Sequence, residues 1–128
     1  MFGSSLRGPA RVLLALIRIV NGAIGLLAPR LFIARFDPEG LPSAAAIYAF
    51  RLFGIRTVLI GLDLIRKGPQ MPAAVRAAPI VHGSDVATIV ALGVQGAIPP
   101  TTAKVTTAIS AVNLVLALAA QEPRHPLP

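Results

Sequence analysis

The chain contains no cysteine. That removes disulfides, thiolate nucleophiles and cysteine zinc sites, and leaves the redox compartment open. It has no tryptophan, one tyrosine and five phenylalanines, too few aromatic rings for stacking on bases. Charge is scarce as well: 13% of residues are charged and 55% are hydrophobic, where a soluble domain has roughly 25% charged residues. A soluble bundle of 128 residues has a large surface relative to its volume and must cover it with polar groups. This chain lacks those groups, and an integral membrane protein of one small domain is the class that remains.

Acids are scarcer than bases. Five Asp and Glu stand against twelve Lys and Arg, a net charge of +7. A nucleic-acid binder would gather its basic residues on one face that tracks phosphates. Here they are scattered from Arg7 to Arg124, with Arg66-Lys67 the only adjacent pair. No nucleic-acid partner is expected; Lys and Arg flanking membrane spans explain the excess.

Four apolar segments predict spans at 11–28, 44–65, 79–98 and 101–120, followed by a Pro-rich polar tail at 122–128. Proline stands at or near each boundary, as Pro29, Pro42, Pro69, Pro79 and Pro99-Pro100, where it starts or stops a helix. No segment alternates polar and apolar residues with period two, so strands of a barrel are excluded. The expected fold is all-α, an antiparallel up-down-up-down four-helix membrane bundle over 1–121. Arg7 and Arg11 before an apolar run resemble a secretory signal, but the cleavage pattern is poor and an uncleaved first span is expected. Six Lys and Arg (Arg7, Arg11, Arg66, Lys67, Arg76, Arg124) fall on one side, against Arg30, Arg35 and Lys104 on the other. This bias predicts cytoplasmic termini and a multi-pass protein of the bacterial inner membrane, a setting that the Ala, Arg and Pro content suits.

The segment at 44–65 carries Arg51, Arg56 and Asp63 among eleven Leu, Ile, Phe and Val. A charge near a span's centre costs about 2.5–3.5 kcal/mol, whereas each large aliphatic or Phe returns only ~0.3–0.6. Such a helix needs its neighbours. At ~1.5 Å rise per residue, Arg18, Asp63, Asp85 and Asn113 fall in one layer, about 4–10 Å from the basic end. Arg56, Asn21 and Ser110 form a second layer about 15 Å in. Angular spacing aligns Tyr48, Arg56, Leu59 and Asp63 on one helix, and His82, Asp85, Thr88, Leu92 and Gln95 on another. Polar stripes in a membrane bundle are expected to turn inward, with Arg56 or Arg18 paired to Asp63 or Asp85. Gly22, Gly25, Gly54, Gly61, Gly93 and Gly96, and Thr107 with Ala111, are expected points of close helix approach. Arg51 is expected to snorkel at the periphery.

The candidate ligand-binding set is therefore Arg18, Asn21, Tyr48, Arg56, Asp63, His82, Asp85 and Asn113. Two readings of it stay open: charges that fix helix pairing, or a polar pocket opening to the cytoplasmic side. Asp63 or Asp85 as general acid with His82 as relay is the acid–base option. His82 and Asp85 are one turn apart, a spacing that suits a metal. The only other histidine is His125 in the tail, so neither a metal nor another cofactor is expected.

The run Arg51-Leu-Phe-Gly-Ile-Arg56-Thr-Val-Leu-Ile-Gly61, with His82-Gly-Ser-Asp85 later, resembles small four-span bacterial membrane proteins of the DUF4267 type. The resemblance implies a four-helix membrane fold, with a glycine–X–arginine feature in the second span and an acid in the third. It brings no activity with it. Small size and the lack of a catalytic motif make an accessory or interaction subunit of an envelope complex the first functional expectation. Its partners would be membrane lipid and other proteins, or further copies of itself. The alternative is a lipid- or isoprenoid-acting enzyme or binding protein that uses the polar cluster.

Overall fold

The computed structural model describes residues 4–123; Arg124 and His125 in the tail lie outside them. Among the described residues there are five helices and no strand: α1 (Ser4–Leu27), α2 (Pro29–Phe36), α3 (Ala44–Ile65), α4 (Gln70–Val94) and α5 (Pro100–Ala119). α1, α3, α4 and α5 are each long and apolar enough to cross a membrane, and together they form the expected helical bundle. Burial runs inside-out relative to a soluble protein. Arg18, Thr57, His82, Ser110 and Asn113 are buried, while Val20, Ile80, Val94 and Val115 are each more than half exposed. Only a hydrocarbon solvent makes that distribution favourable.

Local signals set the helix ends. Ser43 caps α3 by accepting from the Ala46 N–H at 3.1 Å, and Pro100 opens α5 where its missing N–H costs nothing. α4 ends on Gly96, whose φ of 67° is the left-handed region that glycine enters freely. There the Ala97 N–H reaches the Leu92 carbonyl at 3.0 Å and the Gly96 N–H reaches Gly93 at 3.1 Å, closing the last turn. Gly96 is thus a helix cap rather than the expected point of close approach; nothing within 4 Å would meet a Cβ there.

Several boundaries differ from expectation: α1 begins at Ser4, with Pro9 inside it, rather than at 11, and α4 ends at Val94 rather than 98. Pro29 does stop α1, but it also starts α2 from its first position, so half of the connection to α3 is helical. α4 begins at Gln70, with Pro79 inside it rather than at its start. An internal proline leaves the carbonyl four residues back without its donor. That carbonyl is Val75's, and the Gln121 side chain supplies the missing N–H at 2.7 Å.

The bundle is two hairpins. α1 packs most extensively on α3, and α4 on α5. The first contact is backbone to backbone: a Cβ on Gly22 would sit 2.7 Å from the Gly54 carbonyl and 2.7 Å from the Val58 nitrogen. The hairpins meet in an apolar core at the basic end, around Leu14, Ala15, Leu64, Ala78 and Ala117. Toward the end that carries α2 they part.

Candidate functional site

Polar residues floor the space where the hairpins part. Arg18 of α1 and Asp85 of α4 meet at an Nη1 to Oδ2 distance of 3.4 Å. The two lie 14 and 15 residues from the starts of their helices, so roughly 21 and 22 Å along them. This match in height is what brings them together near the middle of the bundle. His82, one turn before Asp85, places Nδ1 3.6 Å from the same carboxylate oxygen. The carboxylate thus lies between a guanidinium and an imidazole. Arg18 and His82 are almost wholly buried, while the Asp85 side chain keeps 42% of its surface.

Above this floor is a cavity of about 390 Å³ to which all five helices contribute. Arg18 and Asn21 come from α1, Thr57 from α3, Asp85 and Thr88 from α4, and Ser110 and Asn113 from α5. Its other wall is aromatic: Phe32 and Phe36 of α2 with Phe50 and Phe53 of α3. The rings pack on one another, with centroids 5.7 Å apart for Phe32 and Phe50 and 6.0 Å for Phe36 and Phe50. Thr102 Oγ1 donates to the Arg35 carbonyl at 2.7 Å, which ties the last turn of α2 to the start of α5 across the mouth.

Several floor atoms lack partners. Arg18 Nε, Asn113 Oδ1 and both ring nitrogens of His82 are buried without a hydrogen bond. Each such group costs roughly 1–3 kcal/mol when left unmet. Arg18 and Asn113 both line the cavity, and each keeps an orphaned atom beneath its surface, one a donor and one an acceptor. Formal charge on the floor balances, with Arg18 against Asp85. The chemistry this suits is an uncharged group able both to donate and to accept a hydrogen bond.

Of the eight candidate residues, the structure brings Arg18, Asn21, Asp85 and Asn113 to the cavity wall, with His82 against Asp85 behind it. The other three stand apart. Tyr48 is 68% exposed and Arg56 is exposed, because the Tyr48, Arg56, Leu59 stripe points away from the bundle. The inward face of α3 is instead Gly54, Thr57, Gly61 and Leu64. Asp63 pairs with Arg66 at 3.3 Å on the surface of the basic end. Its expected partners, Arg18 and Arg56, are both elsewhere.

The cavity extends toward the α2 end, away from the basic end, where the sequence predicts its opening. The expected polar layers did not include Thr57 or the aromatic wall. Phe32 and Phe36 are four apart, a helical spacing, and Pro29 at a first helical position was the signal that a helix carries them. No protein-family model, curated protein or solved structure matches the chain.

Proposed function

We propose that this small integral membrane protein binds an uncharged amphiphile within the bilayer. The polar head of the ligand sits at Arg18, Asp85 and Asn113, and its apolar body lies along Phe32, Phe36, Phe50 and Phe53. One observation carries this reading: a cavity of about 390 Å³ floored by a buried donor and a buried acceptor that nothing among the described residues satisfies. Its size falls in the range of small-molecule sites, roughly 300–1,000 Å³. At the floor Asp85 already neutralises Arg18, so an uncharged head fits there; the other cation of the lining, Arg35, belongs to α2 beside the phenylalanines. A hydroxyl on a lipid or isoprenoid body both donates and accepts, the two capacities that the orphaned atoms lack.

The test compares an isoprenoid alcohol with the hydrocarbon that lacks only its hydroxyl, each added to the purified protein in nanodiscs. The alcohol is expected to bind and to raise the unfolding temperature; the Asn113→Leu variant loses that response. Equal effects of alcohol and hydrocarbon on the wild type sink the proposal.

A second observation supports the accessory-subunit reading. Arg56 lies twelve residues from one end of α3 and nine from the other, near mid-bilayer, and is exposed. An arginine facing lipid at that depth costs about 2.5–3.5 kcal/mol. A transmembrane partner helix bearing a carboxylate at that depth would remove the cost. Co-purification from native membranes tests it: the complex is expected to disperse in Arg56→Leu, and a protein that is always a lone monomer counts decisively against it.

A further inference from the structure

A second cavity, of about 890 Å³, lies at the opposite end of the bundle between the first turns of α1, the first half of α4 and the end of α5. Its polar lining is Arg7, Arg11 and Arg76, with Gln121 and one carboxylate, Glu122. Three cations against one anion leave it strongly basic. Among the described ion pairs none involves these arginines. Arg11 donates one N–H to the Leu64 carbonyl at the end of α3, which fixes its guanidinium while leaving its other donors free.

Depth gives the site its character. Arg7 and Arg11 lie three and seven residues into α1, and Arg76 six into α4, so all three stand roughly 5–10 Å from their helix ends. α4 has 25 residues, about 37 Å, against a hydrocarbon core of about 30 Å. The surplus of about 7 Å places Arg7 at headgroup level and Arg11 and Arg76 just inside the hydrocarbon boundary, where an arginine snorkels to a phosphate. Deeper along the same cavity the wall becomes apolar, with Pro79, Ile80 and Leu118. Ile80 is 77% exposed and Leu118 44%, a surface open to an acyl chain.

The geometry points to a binding site for an anionic phospholipid, its phosphate held by Arg7, Arg11 and Arg76 and an acyl chain laid against Ile80 and Leu118. Arginine suits phosphate oxygens through its fork of donors. Basic pockets between helices on the cytoplasmic side of a bundle are the recognised physical form of such sites. The site is separate from the aromatic cavity and stands or falls without it.

The full chain in mixed micelles of phosphatidylglycerol and phosphatidylcholine tests the assignment, with retained lipid read by native mass spectrometry. The wild type is expected to retain phosphatidylglycerol in preference. Removing charge by Arg7→Gln and Arg76→Gln lowers that preference by about fivefold per arginine. Arg76→Lys largely keeps it, and Arg30→Gln with Lys104→Gln at the other end leaves it unchanged. Arg76→Gln alone carries the test where the double variant does not fold. Equal retention of the two lipids, or a preference that the glutamine variants keep, overturns the site. Full displacement of the lipid by inorganic phosphate overturns the lipid as its ligand and assigns a free phosphate in its place.

Discussion

Gln121 and Val75 are joined by a hydrogen bond of 2.7 Å from the side-chain amide to the carbonyl, and that carbonyl is the one Pro79 leaves without a helical donor. The bond replaces the donor that the helix itself lacks and lets α4 run through a proline. The same amide also reaches the Ala117 carbonyl at 2.8 Å, which ties the end of α5 to α4.

Gln121→Leu is therefore expected to destabilise the protein by about 1–3 kcal/mol, the cost of an unmet buried carbonyl. In a Pro79→Ala background the backbone supplies its own donor, and the same substitution costs less. Thermal unfolding in detergent of the four proteins in this cycle reads the difference. Equal costs in both backgrounds would separate Gln121 from the proline.

The Arg18 and Asp85 pair has asymmetric burial, 7% against 42% of side-chain surface, and this sets its expected energetics. Breaking a fully buried pair costs roughly 3–5 kcal/mol, and an exposed pair contributes only about 0–1. Asp85→Asn removes the carboxylate beside a buried guanidinium and is expected to be the more damaging single change. Arg18→Met leaves the better-solvated carboxylate, with His82 still 3.6 Å away, and is expected to cost less. The double variant is expected to recover most of the loss. Unfolding midpoints of the three variants check the order, and a double variant worse than both singles contradicts it.

The first hairpin depends on backbone contact between α1 and α3. A Cβ on Gly54 would meet the Leu26 nitrogen, the Gly22 carbonyl at 2.6 Å and the Gly25 carbonyl carbon at 2.8 Å. All three are backbone atoms that cannot rotate away. Gly54→Ala is expected to force the helices apart and to lower stability by more than the roughly 1–3 kcal/mol of ordinary overpacking. Gly83→Ala on α4, where nothing lies within 4 Å, is expected to be neutral or slightly stabilising through helix propensity. Paired thermal melts of the two variants distinguish a contact glycine from a passive one.

The four spans were legible because apolar length and bounding prolines are local signals. The range 44–65 coincides with α3, whose flanks carry Pro42 and a capping serine. Pro79 misled for an equally physical reason: a proline starts a helix unless something distant satisfies the freed carbonyl, and Gln121 is 46 residues from Val75. Arg18 and Asp85 fell into place through their equal heights, since rise per residue is nearly invariant. Rotation was less secure. α3 has four glycine, threonine and leucine positions facing inward and a charged stripe facing out, the reverse of what polarity alone suggests, because close approach to α1 demands Gly54 and Gly61 on the inner face. That tertiary requirement outweighed the cost of exposing Arg56.

Orientation follows from charge, and the absence of cysteine makes it directly measurable. The basic end holds Arg7, Arg11, Arg66, Lys67 and Arg76, while Arg30, Arg35 and Lys104 at the α2 end are offset by Asp37 and Glu39. Lys and Arg in short connections resist translocation, so the basic end is expected to face the cytoplasm. Glu39→Cys in the loop before α3 and Pro69→Cys in the loop before α4 replace exposed residues on opposite ends. With no native thiol to interfere, a membrane-impermeant maleimide applied to intact cells is expected to label the cysteine at position 39 and to reach the one at 69 only after lysis. The opposite pattern would invert the bundle. It would put the aromatic cavity's mouth toward the cytoplasm and the arginine cavity in the outer leaflet, where the supply of anionic lipid is a different matter.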